Sequence, residues 1–234
     1  KTLNAAADSF NVAVGYQAAE AMTTGKRNIA IGANALDTAT DGDDNVAIGY
    51  DAGTAITTAS DNTVIGAYAG TALNTGTANV AVGFEALKTE DANGESVAIG
   101  YQALKTQNAG ASGLNVAVGY QAGTAVTTGV KNVIVGASAG VALAGGANNT
   151  AVGYEALSTE DGHGNNTAIG YRALKTLNAG AEGHNTAVGV DAGLSVTTGV
   201  KNVIVGSLAG DALAAGANNT AIGYEALSTE DAHG

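Results

Sequence analysis

The chain has 234 residues without Cys, Pro or Trp, and its 9 Lys and Arg against 21 Asp and Glu give a formal net charge of −12. The absence of Cys excludes a disulfide scaffold, a thiolate zinc site, an iron–sulfur cluster and a cysteine nucleophile. An acidic chain without a basic stripe is a poor partner for nucleic acid or anionic membranes, and no apolar run approaches the ~20 residues of a membrane span. Leu, Ile, Val and Phe make up about a fifth of the residues, which is too few for a conventional globular core.

A five-residue unit, Asn-β-Ala-β-Gly with β mostly Val, Ile or Thr, recurs with minor variation in thirteen copies along the chain. Successive unit glycines are 17 residues apart, except for two intervals of 19. A fixed period of this length is the signature of a repeat architecture. The repeat glycines are Gly15, Gly32, Gly49, Gly66, Gly83, Gly100, Gly119, Gly136, Gly153, Gly170, Gly189, Gly206 and Gly223.

The columns of the repeat are as regular as its spacing. Asn stands four residues before the glycine in every copy but one, where Ser96 replaces it, and Ala stands three residues after the glycine in all copies. The next column adds a longer period of four units, because Leu and Gly alternate there in pairs. Residues 127–136 are identical to residues 197–206, which indicates duplication of a four-unit block. The alternating column reads Ala19, Leu36, Gly53, Gly70, Leu87, Leu104, Gly123, Gly140, Leu157, Leu174, Gly193, Gly210 and Leu227.

Val or Ile alternating with Ala is typical of a β-strand, and the Thr-Thr-Gly and Gly-Ala-Asn stretches between units are typical of turns. A coil of 17 to 19 residues has room for two short strands and two turns, or for three strands in a triangular turn. Stacked coils pair each strand with its copies about 4.8 Å above and below. We therefore predict an all-β fold, a parallel β-solenoid of about 13 coils that runs as a single repeat array over residues 1–234.

Each column acquires an expected role in such a solenoid. Val and Ile, for example Val12 and Val14, are expected to point into the coil and form a thin continuous core. The Asn column is expected to stack into a hydrogen-bonded ladder that closes the turn before each strand. The repeat glycine is expected to allow a bend that a Cβ would obstruct.

The opposite strand face is also apolar, whereas a strand that faces water normally alternates apolar with polar residues. We interpret this alanine face as a subunit interface around a threefold axis; the alternative is that Ala fills tight coil corners. Residues 1–5 resemble residues 175–179, which lie in mid-coil, and no capping unit is recognisable at either end. We therefore expect the chain to be a segment of a longer protein. The alanine face comprises Ala13, Ala30, Ala47, Ala81, Ala98, Ala117 and their equivalents.

The repeat resembles two related groups of surface proteins. Residues 45–50, Asn-Val-Ala-Ile-Gly-Tyr, and residues 149–157, Asn-Thr-Ala-Val-Gly-Tyr-Glu-Ala-Leu, are similar to the head repeats of YadA-like trimeric autotransporter adhesins. They are more similar still to the Asn-Thr-Ala-Ile-Gly-Tyr-x-Ala-Leu repeats of phage tail fibres. The resemblance covers essentially the whole chain and implies a trimer of parallel β-rolls, exposed on a virion or cell surface and used for attachment. The YadA head repeat is shorter, so the match lies in the strand and favours the fibre group.

Two candidate metal sites stand out from the repeat background. Asp41, Asp43, Asp44 and Asn45 place oxygen ligands close together, as a Ca²⁺ site requires, but without the acidic closure of an EF-hand; the alternative is a solvated acidic turn. Histidines in turns form the other candidate, because three copies around a trimer axis would hold a metal ion; the alternative is exposed turn histidines. The histidines are His163, His184 and His233.

The remaining features are better explained by structure than by chemistry. The carboxylate pairs Glu160–Asp161 and Glu230–Asp231 are of the kind used in glycoside hydrolysis, but they repeat with the turns and are interpreted as solvated surface. The Thr pairs at 23–24, 57–58, 127–128 and 197–198 are interpreted as turn caps. The tyrosines after the repeat glycine are interpreted as covering a coil edge rather than stacking on sugars. These tyrosines are Tyr16, Tyr50, Tyr101, Tyr120, Tyr154, Tyr171 and Tyr224.

No nucleophile–base pair breaks the repeat pattern, so we predict a protein that is not an enzyme and needs no cofactor. We expect a homotrimeric structural and attachment segment of an extracellular fibre, most simply a phage or phage-like tail fibre. The alternatives are a bacterial trimeric autotransporter adhesin head and a β-solenoid polysaccharide depolymerase. A host cell-surface glycan or protein is the expected receptor. If this segment touches it, we expect the contact at the two longer turns, residues 105–114 and 175–184, because stacking constrains them least.

Overall fold

The computed structural model describes residues 9–92, 94–110, 112–211 and 213–228 and is an all-β parallel β-solenoid. The chain divides into two compact units, residues 1–114 and 115–234. The first unit contains strands β1 to β6 and the second contains β7 to β13. Nowhere in the described ranges does the chain form a helix with the length and apolarity that a bilayer crossing requires. The expected fold class is therefore confirmed.

Every strand is three residues long and pairs in parallel with its sequence neighbour inside its unit. The register follows the repeat, so that Val12 lies opposite Ile29 and Val133 opposite Thr150. In the first unit the strands are β1 (Val12–Val14), β2 (Ile29–Ile31), β3 (Val46–Ile48), β4 (Thr63–Ile65), β5 (Val80–Val82) and β6 (Val97–Ile99). In the second they are β7 (Val116–Val118), β8 (Val133–Val135), β9 (Thr150–Val152), β10 (Thr167–Ile169), β11 (Thr186–Val188), β12 (Val203–Val205) and β13 (Thr220–Ile222).

Each coil contains one strand among the described residues, fewer than the two or three for which its length has room. The rest of the coil is a chain of turns, in which left-handed residues such as Arg27 (φ 57°), Asn34 (φ 59°) and Leu36 (φ 50°) interrupt the extended backbone. Neighbouring coils still share hydrogen bonds there, since the Ala19 amide donates to the Ala35 carbonyl at 2.9 Å. These left-handed corners were predictable only where Gly occupies them, because most of them are formed by residues other than Gly.

The strand faces are the reverse of those predicted. Ala30 and Ala47, at the centres of β2 and β3, are fully buried, whereas the outer residue Ile31 is 37% exposed. The strand pleat therefore directs the central side chain inward and the two flanking side chains outward. The central residue is Ala in most strands and Val or Ile in β4, β8 and β12. Val12 and Val14 are accordingly exposed. The alanine face lines the inside of a narrow coil and is not available as a subunit interface.

Side chains from the turns fill the core that the alanines leave open. They come from the fourth and seventh residues after the repeat glycine, which lie on the side of the coil away from the strand. The largest fully buried residues of the first unit are Met22, Leu36, Ile56, Leu73, Leu87 and Leu104. Those of the second unit are Leu143, Leu157, Leu174 and Leu177 from the turns, together with Ile134 and Ile204 from the centres of β8 and β12.

The four-unit period reflects how the core volume is filled, because the residue at the fourth position depends on the size of the side chain at the seventh. A Cβ added at Gly53 would lie 2.9 Å from the Ile56 side chain, and one added at Gly140 would lie 2.7 Å from the Leu143 side chain. In coils with Gly at the fourth position, the large core side chain is therefore that of the seventh residue, three positions later. Leu87 and Leu157 fill the fourth position in coils whose seventh residue is a glutamate.

The Asn column forms the expected ladder. The Asn132 backbone amide donates to Asn115 Oδ1 at 2.9 Å, while the Asn132 side-chain amide donates to the Gly146 carbonyl at 2.8 Å and its Oδ1 accepts from the Asn149 amide at 2.8 Å. Each Asn thereby satisfies two buried backbone groups of the next coil. The same arrangement runs from Asn11 towards Ser96 in the first unit.

Candidate functional site

The outer face of the sheet is an exposed apolar surface in both units. The first and third residues of most strands are Val, Ile or Thr, and they are half-buried or exposed, whereas the central residue is buried. Exposed members include Val133 and Ile169. Apolar side chains that remain exposed side by side on a protein surface are typical of an interaction site.

Aromatic side chains extend this surface on the residue after the repeat glycine. Phe84 stacks on Tyr101 and Tyr154 stacks on Tyr171, each with ring centroids 5.4 Å apart. Tyr68 joins the row from the neighbouring column, 5.8 Å from Phe84. The rings contact one another along a coil edge as expected, yet they remain largely open to solvent; those exposed are Tyr16, Tyr50, Phe84, Tyr101, Tyr120, Tyr154, Tyr171 and Tyr224.

Ion pairs flank the aromatic row. In the first unit the Glu85 carboxylate contacts Lys105 Nζ at 2.6 Å and Lys88 Nζ at 2.5 Å, and these two ammonium groups lower the pKa of Glu85 to about 2. In the second unit Arg172 donates to both Asp191 oxygens, at 2.7 and 2.8 Å. The resulting surface is an apolar stripe with a charged margin, a pattern typical of protein–protein interfaces.

The lowered pKa of Glu85 predicts an acid-sensitive contribution to stability. Its folded-state pKa lies below the unfolded value of about 4.3, so the contribution is complete above that value and is lost as pH falls through 4 towards 2. We expect Glu85→Gln to lower the free energy of unfolding by about 1 kcal/mol at pH 7, since partly exposed lysines are screened by water. The deficit should disappear near pH 2 in urea titrations.

The exposed Glu95 of the same unit provides the control, and Glu95→Gln should change the free energy of unfolding at pH 7 by no more than about 0.5 kcal/mol. An unchanged gap between wild type and Glu85→Gln from pH 7 to pH 2 would contradict the assignment.

The candidate calcium ligands do not converge. Asp41 accepts from the Thr24 hydroxyl at 2.6 Å, Asp43 from the Lys26 amide at 2.7 Å, and Asp44 from Arg27 at 2.6 Å. Asn45 belongs to the ladder. Each carboxylate is thus held by a different group of the preceding coil, and Asp41–Asn45 acts as a set of turn contacts.

The Glu160–Asp161 pair differs from its interpretation as solvated surface. Glu160 is fully buried, whereas Asp161 is exposed. Together with His163 they form the only group of three possible metal ligands among the described residues, with one ligand atom from each within 4.8 Å of the others. His184 is not in this group. Glu230, Asp231 and His233 lie outside the described residues.

The burial of Glu160 follows from its position in the repeat, although its sequence motif alone did not indicate it. The seventh residue after the repeat glycine is buried in one coil after another, and Glu90 and Glu160 occupy that column. Glu90 has a side-chain partner, because Gln107 of the next coil donates to it at 2.9 Å and also to Ser96 Oγ at 2.9 Å. Gln107 thereby hydrogen-bonds to Ser96, which takes the place of Asn in the ladder.

The threonine pairs cap turns, as expected. Thr127 Oγ1 donates to the Ala144 carbonyl at 3.0 Å and Thr197 Oγ1 to the Ala214 carbonyl at 2.9 Å. Both hydroxyls thus join consecutive coils.

Each of the two longer turns has an exposed glycine among its described residues. A Cβ added at Gly110 or Gly180 would meet no atom within 4 Å. Their first residues, Lys105 and Lys175, form ion pairs with Glu85 and Glu155 respectively. Each turn therefore begins at the charged margin and is open to solvent at its glycine.

Comparison with known proteins adds no relative: no family model, no curated protein and no solved structure matches this chain.

Proposed function

We propose that this chain is a segment of a homotrimeric extracellular fibre, most simply a phage or phage-like tail fibre, that works in attachment to a host surface. The observation that carries the proposal is the exposed apolar stripe of Val, Ile and aromatic side chains along the sheet of each unit. Leaving this stripe in water costs free energy that burial against another chain would recover. The repeat resemblance to tail fibres supports the same assignment.

The proposed trimer uses the outer sheet face, in contrast to the alanine face expected from the sequence. An identical stripe on each copy suits symmetric association, since cyclic assemblies bury the same surface patches repeatedly. The stacked aromatic rings provide the large, rigid contact area that interfaces favour.

Attachment would follow from the open turns and from multivalency. The longer turns 105–114 and 175–184 are exposed at Gly110 and Gly180, and exposed loops carry binding functions on regular scaffolds. Three copies of a weak site raise the overall affinity through effective concentration. Deleting both insertions should reduce binding to host cells if they carry the receptor contact; a glycan or protein receptor is equally compatible with this arrangement.

The second candidate is a bacterial trimeric autotransporter adhesin head, which the strand repeat also resembles. Both candidates require the same trimer and differ in the full-length gene. A secretion signal with a C-terminal membrane barrel would select the adhesin, and neighbouring tail genes would select the fibre.

The trimer is tested by the mass of the purified chain from light scattering. We expect three copies for the wild type and a folded monomer for the triple variant Val133→Glu, Ile169→Glu and Val203→Glu, whose positions are 38–41% exposed on the outer face. Nine like charges along one interface would oppose association, whereas a glutamate at an outward strand position leaves the coil interior intact.

The matched control is Thr128→Glu, Asn178→Glu and Thr198→Glu, which adds the same charge at exposed turn positions of the same unit. It should remain trimeric. A monomeric wild type, or equal loss of the trimer in both variants, would overturn the proposed assembly.

A further inference from the structure

Glu160 is a carboxylate in the core of the second unit. It occupies the seventh position after the repeat glycine, where Leu143 and Val196 in other coils are fully buried, and it is itself fully buried. A buried carboxylate is costly unless its charge is matched. Its environment should therefore supply a positive charge.

The next coil does not supply that partner. At the position where Gln107 contacts Glu90 in the first unit, the second unit has the apolar Leu177. Glu160 instead accepts from two backbone amides, that of His163 at 3.1 Å and that of Ala179 at 3.0 Å. These bonds fix both carboxylate oxygens but add no net positive charge.

His163 faces this carboxylate with an unused nitrogen. The imidazole is 33% exposed, but its Nδ1 atom is buried and has no hydrogen-bond partner. This atom lies 3.5 Å from Glu160 Oε1, within the range of an ion pair when the imidazole is protonated. This separation is too long for a normal hydrogen bond between the two atoms. It does match the edge of a tetrahedron around a Zn²⁺ ion, since ligands about 2.1 Å from the metal lie about 3.4 Å apart.

The turn that carries these groups is held from both sides. The Asp161 carbonyl accepts from the Ala144 amide at 2.7 Å and from the Gly145 amide at 3.0 Å in the preceding coil. Glu160 is bound to Ala179 of the following coil. The three ligand atoms are therefore gathered on a backbone whose position is already fixed, as a metal site requires.

We propose that Glu160, Asp161 and His163 form a Zn²⁺ site. The ion would neutralise the buried carboxylate, use the free Nδ1 atom and leave one coordination position for water. Imidazole with carboxylates favours zinc over calcium, which prefers oxygen ligands alone. The first unit has the same Glu90–Asp91 pair but Asn93 in place of the histidine, so only the second unit is assigned a site within the described residues.

The test is titration of the metal-free full-length chain with Zn²⁺ alone, using a competing chromogenic chelator. Because the spacing recurs at Glu230, Asp231 and His233, all variants carry His233→Asn. The parent should bind one Zn²⁺ per chain, and a millimolar excess of Ca²⁺ should not compete. His163→Asn, which introduces the residue found at position 93, should weaken binding at least about 100-fold, more than loss of an outer-shell partner.

His184→Asn provides the control and should bind Zn²⁺ like the parent, because His184 is outside the group. Substitution with Co²⁺ gives a second readout, since the parent should show visible absorption bands of tetrahedral cobalt that His163→Asn lacks. Failure of the parent to bind Zn²⁺, or equal affinity in parent and His163→Asn, would overturn the site. Neither result depends on whether the chain forms trimers.

Discussion

Replacing Gly136 by alanine is expected to disrupt the second unit more than any conservative change at its surface. The added Cβ would lie 2.4 Å from the Gly153 carbonyl oxygen of the next coil, and the backbone φ of 135° disfavours any L side chain. Backbone strain and overpacking at a site closed by backbone atoms cost about 3 kcal/mol or more together. Urea unfolding followed by circular dichroism should show a much lower midpoint.

Gly145→Ala is the matched control in the same unit. Its Cβ would make an ordinary contact 3.6 Å from Thr128 Oγ1, so the unfolding midpoint should be unchanged or slightly raised through the reduced entropy of the unfolded chain. Equal midpoints for Gly136→Ala and Gly145→Ala would show that consecutive coils are farther apart than described.

Asn132→Ala is expected to destabilise the second unit by about 2–6 kcal/mol. The variant leaves the buried Asn149 amide without its acceptor and the Gly146 carbonyl without its donor. Each unsatisfied buried group costs about 1–3 kcal/mol. Because solenoid units unfold as coupled repeats rather than strictly as one state, hydrogen exchange of the Asn149 amide should accompany the urea measurement and show faster exchange.

Asn178→Ala tests whether loss of any asparagine has this effect. Asn178 is exposed in the longer turn, and its replacement should change the unfolding free energy by no more than about 0.5 kcal/mol. A small effect of Asn132→Ala, comparable to that of Asn178→Ala, would contradict the role of the ladder in stability.

The repeat spacing was sufficient to predict the solenoid and its register. A constant period places the same column of successive coils side by side, which is why Val133 lies opposite Thr150. The ladder followed from the Asn column for the same reason. The glycine bend was predictable because a residue without a Cβ at every copy indicates close approach of backbone, as the Gly136 contact with Gly153 confirms.

The direction of the strand faces could not be predicted from alternation alone. A period of two distinguishes the faces of a strand but does not say which of them lies inside. The larger Val12 and Val14 were assigned to the core by size, but the structure places the central residue of each strand inside. That residue is Ala in most strands and Val64, Ile134 or Ile204 in the others, and turn side chains such as Leu36 supply further core volume. The burial of Glu160 escaped prediction for the same reason, since the core column to which it belongs was not recognised as core.

The volume match between the fourth and seventh positions has a consequence for how such a gene evolves. Residues 127–136 and 197–206 are identical and lie one four-coil block apart, so unequal crossing-over between them would delete or add one complete block. Such an event preserves the order of coil types, in which the pair Gly140 and Leu143 in one coil is followed by the pair Leu157 and Glu160 in the next. Loss of a single coil would break the order of the pairs, and we therefore expect natural length variants to differ by whole blocks of about 19 Å.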